Sequence, residues 1–217
     1  MTSSQPKSVY RFAEGVYLNI TNRCPNLCTF CIKTKWEMDF HGNNLNLQGH
    51  EPTAQEVQAA LQQEMDAAPF KEVVFCGYGE STMRLDVLLS VGQWLKQVRT
   101  TGKYPVFKIR LNTNGLGNLI NRRDIVPDLK TAVDIVNVSL NAENETLWRQ
   151  LMCPAPGYEN GFSSVLEFIQ KCATAGFDRV TASCVENTGA NPQAVKALAA
   201  QYGASFKERE FLDEAER

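Results

Sequence analysis

The sequence has no block of like charges: 22 Lys and Arg stand against 24 Asp and Glu, for a formal net charge of -2 and a pI near 5.8. That balance excludes the basic arm or stripe that neutralises phosphates, so direct nucleic-acid binding is not expected. Long apolar runs are also missing. No window approaches the ~18 apolar residues of a membrane span, and MTSSQPKSVYRFAEG at the N-terminus lacks the apolar stretch of a secretory signal, so a cytoplasmic protein with no membrane partner is expected. Internal repeats, low-complexity tracts and interdomain linkers are absent as well. The seven cysteines are an odd number, with three crowded into CPNLCTFC and no fourth nearby. That spacing argues against a disulfide framework and for metal binding or redox chemistry in a reducing compartment.

What is present suffices for one α/β domain: 217 residues with 43% hydrophobic content build a core without staples. After an N-terminal extension over residues 1–14, GVYLNIT (Gly15 to Thr21) reads as a first strand that enters the cysteine loop. KEVVFCGYGE, VFKIRLNTNG, DIVNVSLNA, RVTASCVEN and the weaker ASFKERE supply five more. Between them, TAQE at Thr53 to Glu56 has capping-box spacing ahead of Val57, Leu61 and Met65. Asp86 is expected to cap a helix with Leu88, Val91, Leu95 and Val98 on one stripe, SVLE at Ser164 to Glu167 to start another, and Asn191-Pro192 a third that ends at Gly203. Six strands alternating with helices pair in parallel through right-handed crossovers. The layouts open to a chain too short for eight units are a partial (β/α)6 TIM-like barrel and a doubly wound sheet, and the core is placed at residues 15–217 with a cluster loop over 22–52.

The unusual residues collect at the carboxyl ends of these strands, where parallel barrels and sheets carry their sites. CPNLCTFC follows the first strand, GYGE the second, NTNG the third and SLNA the fourth. The spacing C-x3-C-x2-C on a loop can wrap three thiolates around three corners of a cubane iron-sulfur cluster, leaving the fourth iron open, whereas structural zinc wants four protein ligands. Asn112 and Asn114 share one strand face, as do Ser139 and Asn141 on the next, with Arg110 on the face of Asn112.

With Phe30 as the aromatic, Cys24, Cys28 and Cys31 form a C-x3-C-x-aromatic-C signature, and the chain resembles the radical S-adenosylmethionine (radical SAM) enzymes. GYGE at Gly77 to Glu80 resembles that family's Gly-Gly-Glu motif, with Tyr78 and Ser81 in place of Gly and Pro. YLNITNRCPNLCTFC, FCGYGEST, RLNTNGLGNLI and VSLNAE look most like the TatD-associated radical SAM proteins. The resemblance implies a partial-barrel fold and a 4Fe-4S cluster on Cys24, Cys28 and Cys31 whose open iron binds S-adenosyl-L-methionine. It further implies reductive cleavage to a 5'-deoxyadenosyl radical that takes hydrogen from a small-molecule substrate. Phe30, Gly77, Tyr78, Gly79, Glu80, Asn112, Asn114, Ser139 and Asn141 become the cofactor-contact candidates. Gly77 and Gly79 are expected to let the backbone approach the methionyl ammonium. Glu80 is expected to accept a hydrogen bond or hold the turn, and Arg110 to pair with a carboxylate of cofactor or substrate. A flavodoxin- or ferredoxin-type electron donor and a functional link to a TatD-family metal-dependent hydrolase are the implied partners.

The plainer readings are set beside these. Cys76, Cys153, Cys172 and Cys184 are expected as buried structural thiols, with Cys153 the one to test against a radical or substrate. His41 and His50 read as surface histidines, with His41 a candidate for substrate contact. Trp36 and Phe40 either stack on a substrate or pin the long loop, and the mouth is expected to be closed by the Ile32 to Pro52 loop, by a partner subunit or by the substrate itself. Lys207 to Glu210, in the charged run KEREFLDEAER, is a solvated face or a closure of the cofactor pocket. A glycyl-radical-enzyme activase, a 7-carboxy-7-deazaguanine synthase-like enzyme and, from another class, a structural zinc-binding interaction module are the alternatives.

Overall fold

The computed structural model describes residues 5–212. All six expected strands form within it: β2 (Gly15–Leu18), β5 (Glu72–Phe75), β6 (Lys108–Thr113), β7 (Ile135–Ser139), β8 (Arg179–Val185) and β9 (Ser205–Arg209). A further strand, β1 (Val9–Phe12), lies in the segment set down as an extension and pairs antiparallel with β2, Tyr10 opposite Tyr17. The turn between them is tight enough to hold Ala13 at φ 49. Two short strands, β3 (Asp39–Phe40) and β4 (Asn43–Asn44), make a hairpin inside the 22–52 loop after α1 (Ile32–Lys35).

The seven-stranded sheet runs β1-β2-β5-β6-β7-β8-β9, with every pair from β2 onward parallel. Each crossover moves one place in the same direction, so the strand order never reverses as it would in a doubly wound sheet. The result is an open, barrel-like sheet.

Its two faces differ in chemistry because side chains alternate along each strand. Val73 and Phe75, Ile109 and Leu111, Val136 and Val138, and Ala182 and Cys184 join one hydrophobic core with the helices. On the other face, register places Asn112 beside Asn137, Asn137 beside Thr181 and Thr181 beside Ser205, a polar row across four strands. A row of this kind, lined by small polar side chains, suits a cavity better than a packed core.

The helices α2 (Ala54–Ala67), α3 (Leu85–Thr100), α5 (Val126–Ala132), α7 (Gly161–Thr174) and α8 (Pro192–Gln201) follow the apolar stripes. Thr53 and Glu56 close the expected capping box at α2, and Asn191 accepts from Gln193 N and Ala194 N at α8. Two starts differ from expectation. Asp86 lies in the first turn of α3 rather than capping it, because a 3-10 turn at Ser81–Arg84, itself capped by Glu80, feeds the helix directly. Ser164 lies inside α7, which begins at Gly161 where a Cβ would stand 2.5 Å from the Trp148 ring. The short helices α4 (Gly117–Asn121) and α6 (Glu145–Met152) complete the set. Among the described residues no helix is long and apolar enough to cross a membrane.

Candidate functional site

Because six strands run parallel, their carboxyl ends meet at one end of the sheet. A cavity of about 310 Å³ opens there, with Cys24, Cys28 and Cys31 on one wall beside Phe30. Gly77, Tyr78 and Gly79 line it, and so does Cys76, the residue just after β5.

The cysteine loop is held from two sides. From β5, Cys76 N donates to Leu18 O at 3.1 Å and Glu80 N to Arg23 O at 2.8 Å. From the end of α6, Leu27 N donates to Cys153 O (3.1 Å), Thr29 N to Leu151 O (2.9 Å) and Ala155 N to Pro25 O (2.7 Å). Cys153 therefore supports the loop through its carbonyl, at a left-handed φ of 41 that ends the helix. Its thiol is turned to Gln150 O at 3.3 Å. Nothing in MCPAPG signals this brace, which exists only once the two segments meet.

Gly77 and Gly79 have a reason within the chain itself to be glycines. A Cβ on Gly77 would stand 2.3 Å from Asn19 Oδ1, and one on Gly79 would stand 2.2 Å from Thr21 O. Their missing side chains let this turn lie against the cysteine loop, so the close approach is between two pieces of the chain.

Glu80 holds the turn. Its buried carboxylate accepts from Thr82 N (3.1 Å), Thr82 Oγ1 (2.8 Å), Thr113 Oγ1 (2.8 Å) and Asn114 N (2.7 Å). Burial pushes its pKa up against the pull of these hydrogen bonds. The carboxylate thereby ties the end of β5 to the end of β6.

The four small polar residues sit one contact behind the cavity wall. Asn114 Nδ2 lies 4.0 Å from Cys24 Sγ, and Asn112 works against the burial that raises the pKa of the Cys76 thiol. Ser139 Oγ and Asn141 Oδ1 receive Arg209 Nη2 at 3.5 and 3.1 Å. Arg209 and Glu210 line the cavity, inside the Lys207 to Glu210 stretch expected to close it, while Asp213 to Arg217 of that run lie outside the described residues.

Arg110 is committed elsewhere: Nε and Nη2 grip Glu72 at 3.0 and 2.5 Å, and Nη1 reaches Asn112 at 2.7 Å. It thus has a carboxylate partner within the chain. His41 is exposed and stacks on Phe12 at 5.3 Å, and His50 pairs with Glu56 at 3.2 Å. Trp36 is fully buried and stacks on Phe40 at 5.8 Å, so it pins the loop. Phe40 faces the cavity. Tyr78 donates to Asp39 O at 2.6 Å, fastening the β3-β4 hairpin over the site.

Three residues were not singled out by sequence reasoning. Asn26, between two of the cysteines, is buried on the cavity wall, and among the described residues neither its Nδ2 nor its Oδ1 has a partner. Tyr10 and Phe12 of β1 add an aromatic wall with Tyr17. The alternation in VYRFAEGVYL was the available signal.

Three thiols and an unpartnered buried amide in one cavity make a soft, sulfur-rich donor set that fits an iron-sulfur cluster. Burial raises the pKa of Cys24 to about 11, with the nearby Glu80 adding to it. Burial also pushes up Cys28, with Cys31 and Cys24 adding their charges. Thiolates here need a cationic partner. Cys172 and Cys184 are buried in the core, as structural thiols would be.

Fold and cavity together define a partial-barrel α/β protein with its site at the carboxyl ends of the strands. The model of the Radical SAM superfamily matches residues 18–200. The chain belongs to that superfamily, a family of enzymes that use a 4Fe-4S cluster and S-adenosylmethionine. A comparison with curated protein sequences returns no match. Among solved structures, the chain is similar to TYW1 with a lysine-pyruvate adduct bound (TM-score 0.61, 11% identity, 92% of this chain and 65% of that one). It is also similar to HydG, a maturase of the FeFe-hydrogenase (0.59, 12%, 91% and 42%). A third likeness is to the FeFe-hydrogenase maturase HydG from Carboxydothermus hydrogenoformans (0.52, 15%, 91% and 44%). The chain covers less than two thirds of each, and at these identities the likeness is one of fold.

Proposed function

We propose that Cys24, Cys28 and Cys31 hold a 4Fe-4S cluster, that S-adenosylmethionine binds at the remaining iron, and that the chain starts radical chemistry on a small organic substrate. The observation that supports this best is the shared wall: three thiols from one braced loop face one cavity with the orphaned Asn26 amide. When bound, the cluster supplies the electron that splits the sulfonium carbon-sulfur bond and yields methionine and a 5'-deoxyadenosyl radical.

The chain's own residues orient and enclose. Asn114 Nδ2 is placed to donate to the Cys24 sulfur, the unpartnered Asn26 amide lines the same cavity, and charge-dispersing donors of this kind tune a cluster. Gly77 to Gly79 offer backbone groups on the wall facing the cysteines. Ser139 and Asn141, presented through Arg209, and Asn112, behind Cys76, set the polar end. Phe30, Phe40 and Tyr78 exclude water, a requirement where a free radical would otherwise be quenched.

The same reading assigns the chain to the TatD-associated group, on the strings around its motifs. It pairs the chain with a flavodoxin- or ferredoxin-type donor in the cytoplasm and links it functionally to a TatD-family hydrolase. Anaerobic reconstitution is expected to give about four irons per chain and 5'-deoxyadenosine from S-adenosylmethionine under reduction. Cys28→Ala is expected to abolish both. A fully loaded, reduced wild-type chain that leaves S-adenosylmethionine intact across a substrate screen would sink the reading.

A further inference from the structure

Arg209 is the last residue of β9 and lines the cavity, yet it carries no ion pair with any described carboxylate. Nη2 is taken by Ser139 and Asn141, whereas its buried Nε has no hydrogen-bond partner among the described residues. Burial pulls its pKa below the usual guanidinium value, only partly opposed by the thiols of Cys76, Cys184 and Cys28. A largely buried cation with no carboxylate partner among the described residues is costly to hold, and an anionic ligand would complete it. The other cation on the wall, Lys33, already donates to Asn22 O at 2.6 Å.

What surrounds the cavity opposite in character is aromatic. Tyr10 and Tyr17 lie 5.4 Å apart, and Phe12 and Phe40 4.9 Å apart. All four line the same space. A guanidinium whose Nε has no partner among the described residues can donate to an oxygen of a carboxylate or phosphate, and an aromatic wall matches a flat apolar body.

We propose that Arg209 is the anion-recognition residue for the substrate, and that the substrate is a small planar molecule carrying a carboxylate or phosphate, its ring against the aromatic wall. This rests on the reading that the cavity also holds S-adenosylmethionine, whose own carboxylate is taken by iron.

Calorimetric titration of the reconstituted protein with benzoate, phenyl phosphate and uncharged benzamide tests it, alongside S-adenosylmethionine. Wild type is expected to bind at least one of the two anions and not benzamide. Arg209→Gln should weaken that binding about tenfold to a hundredfold, Arg209→Lys should restore part of it, and the loss for the anion should exceed any loss for S-adenosylmethionine. Equal anion affinity in Arg209→Gln, or no anion binding by the wild type, overturns the proposal. So does a loss confined to S-adenosylmethionine, which would make Arg209 a cofactor residue. Iron is counted separately: a chain that takes up none defeats the cluster reading, while the anion titration of the same sample still decides Arg209.

Discussion

Gly79 occupies a backbone conformation open to any residue, yet a single methyl group there would meet the Thr21 carbonyl oxygen at 2.2 Å and the Arg23 oxygen at 2.8 Å. Backbone cannot rotate away as a side chain can, so Gly79→Ala is expected to push the cysteine loop off the β5 turn. The cost should be about 1–3 kcal/mol of stability, read by urea unfolding, together with a lower iron content after reconstitution. Gly79→Ala with native stability and full iron would show that the contact does not matter. The residue types at this site were legible in the sequence, since cysteine spacing and a glycine turn are chemical signals that survive without a structure. The reason for each residue was not. Glu80 offered two readings, and only the four donors from Thr82, Thr113 and Asn114 select the structural one.

At the scale of elements, the barrel separates its working end from its stabilising end. Asp134 precedes β7, at the opposite end from the cavity, and joins three elements. It takes Arg99 of α3 in a fork at 2.7 and 3.2 Å, Lys96 at 3.0 Å, and Ile109 N of β6 at 2.9 Å. Burial alone would raise its pKa, but the hydrogen bonds from Arg99, Ile109 N and Lys96 prevail and hold it at about 2. A carboxyl depressed in the folded state stabilises fully above its unfolded value near 3.8 and loses that contribution as pH falls towards 2. With only 7% of the side chain exposed, the contribution at pH 7 comes to roughly 2 kcal/mol. Asp134→Asn should therefore lose about that much in urea unfolding at pH 7, and the gap to wild type should close between about pH 4 and 2. A gap that does not change with pH would refute the assignment. Iron uptake should be unaffected, because Asp134 lies far from the cysteines along every strand. Strand and helix order was readable from periodicity and capping signals, as Thr53-Glu56 and Asn191 show. Element boundaries failed where tertiary contacts set them. Glu80 places a 3-10 turn ahead of α3, and Trp148 fits against Gly161 at the start of α7.

For the whole molecule, cofactor binding should act on one end of the barrel. A ligand that binds only the folded chain stabilises it, and the segments it touches should gain most. Hydrogen exchange on the loaded and iron-free chains is expected to show new protection across 19–31, 76–80 and 151–155. The first residues of β7 and β8, 135–137 and 179–182, should remain unchanged. Protection spread evenly over the molecule, or absent from 151–155, would contradict the bracing of the cysteine loop by α6. The sequence by itself determined the α/β alternation and the placing of cysteines, glycine turn and polar strand ends at one rim, because strand periodicity and ligand spacing are local properties. Only the tertiary structure decided that β1 extends the sheet, that Arg110 is held by Glu72, that Cys153 supports the loop through its carbonyl, and that Arg209 Nε has no partner among the described residues. Each of those depends on which distant segment arrives as a partner, and pairing over long separations is written in no single stretch of the chain. CPNLCTFC supplies the thiols, and β5, α6 and β9 supply the walls that turn three cysteines into a site.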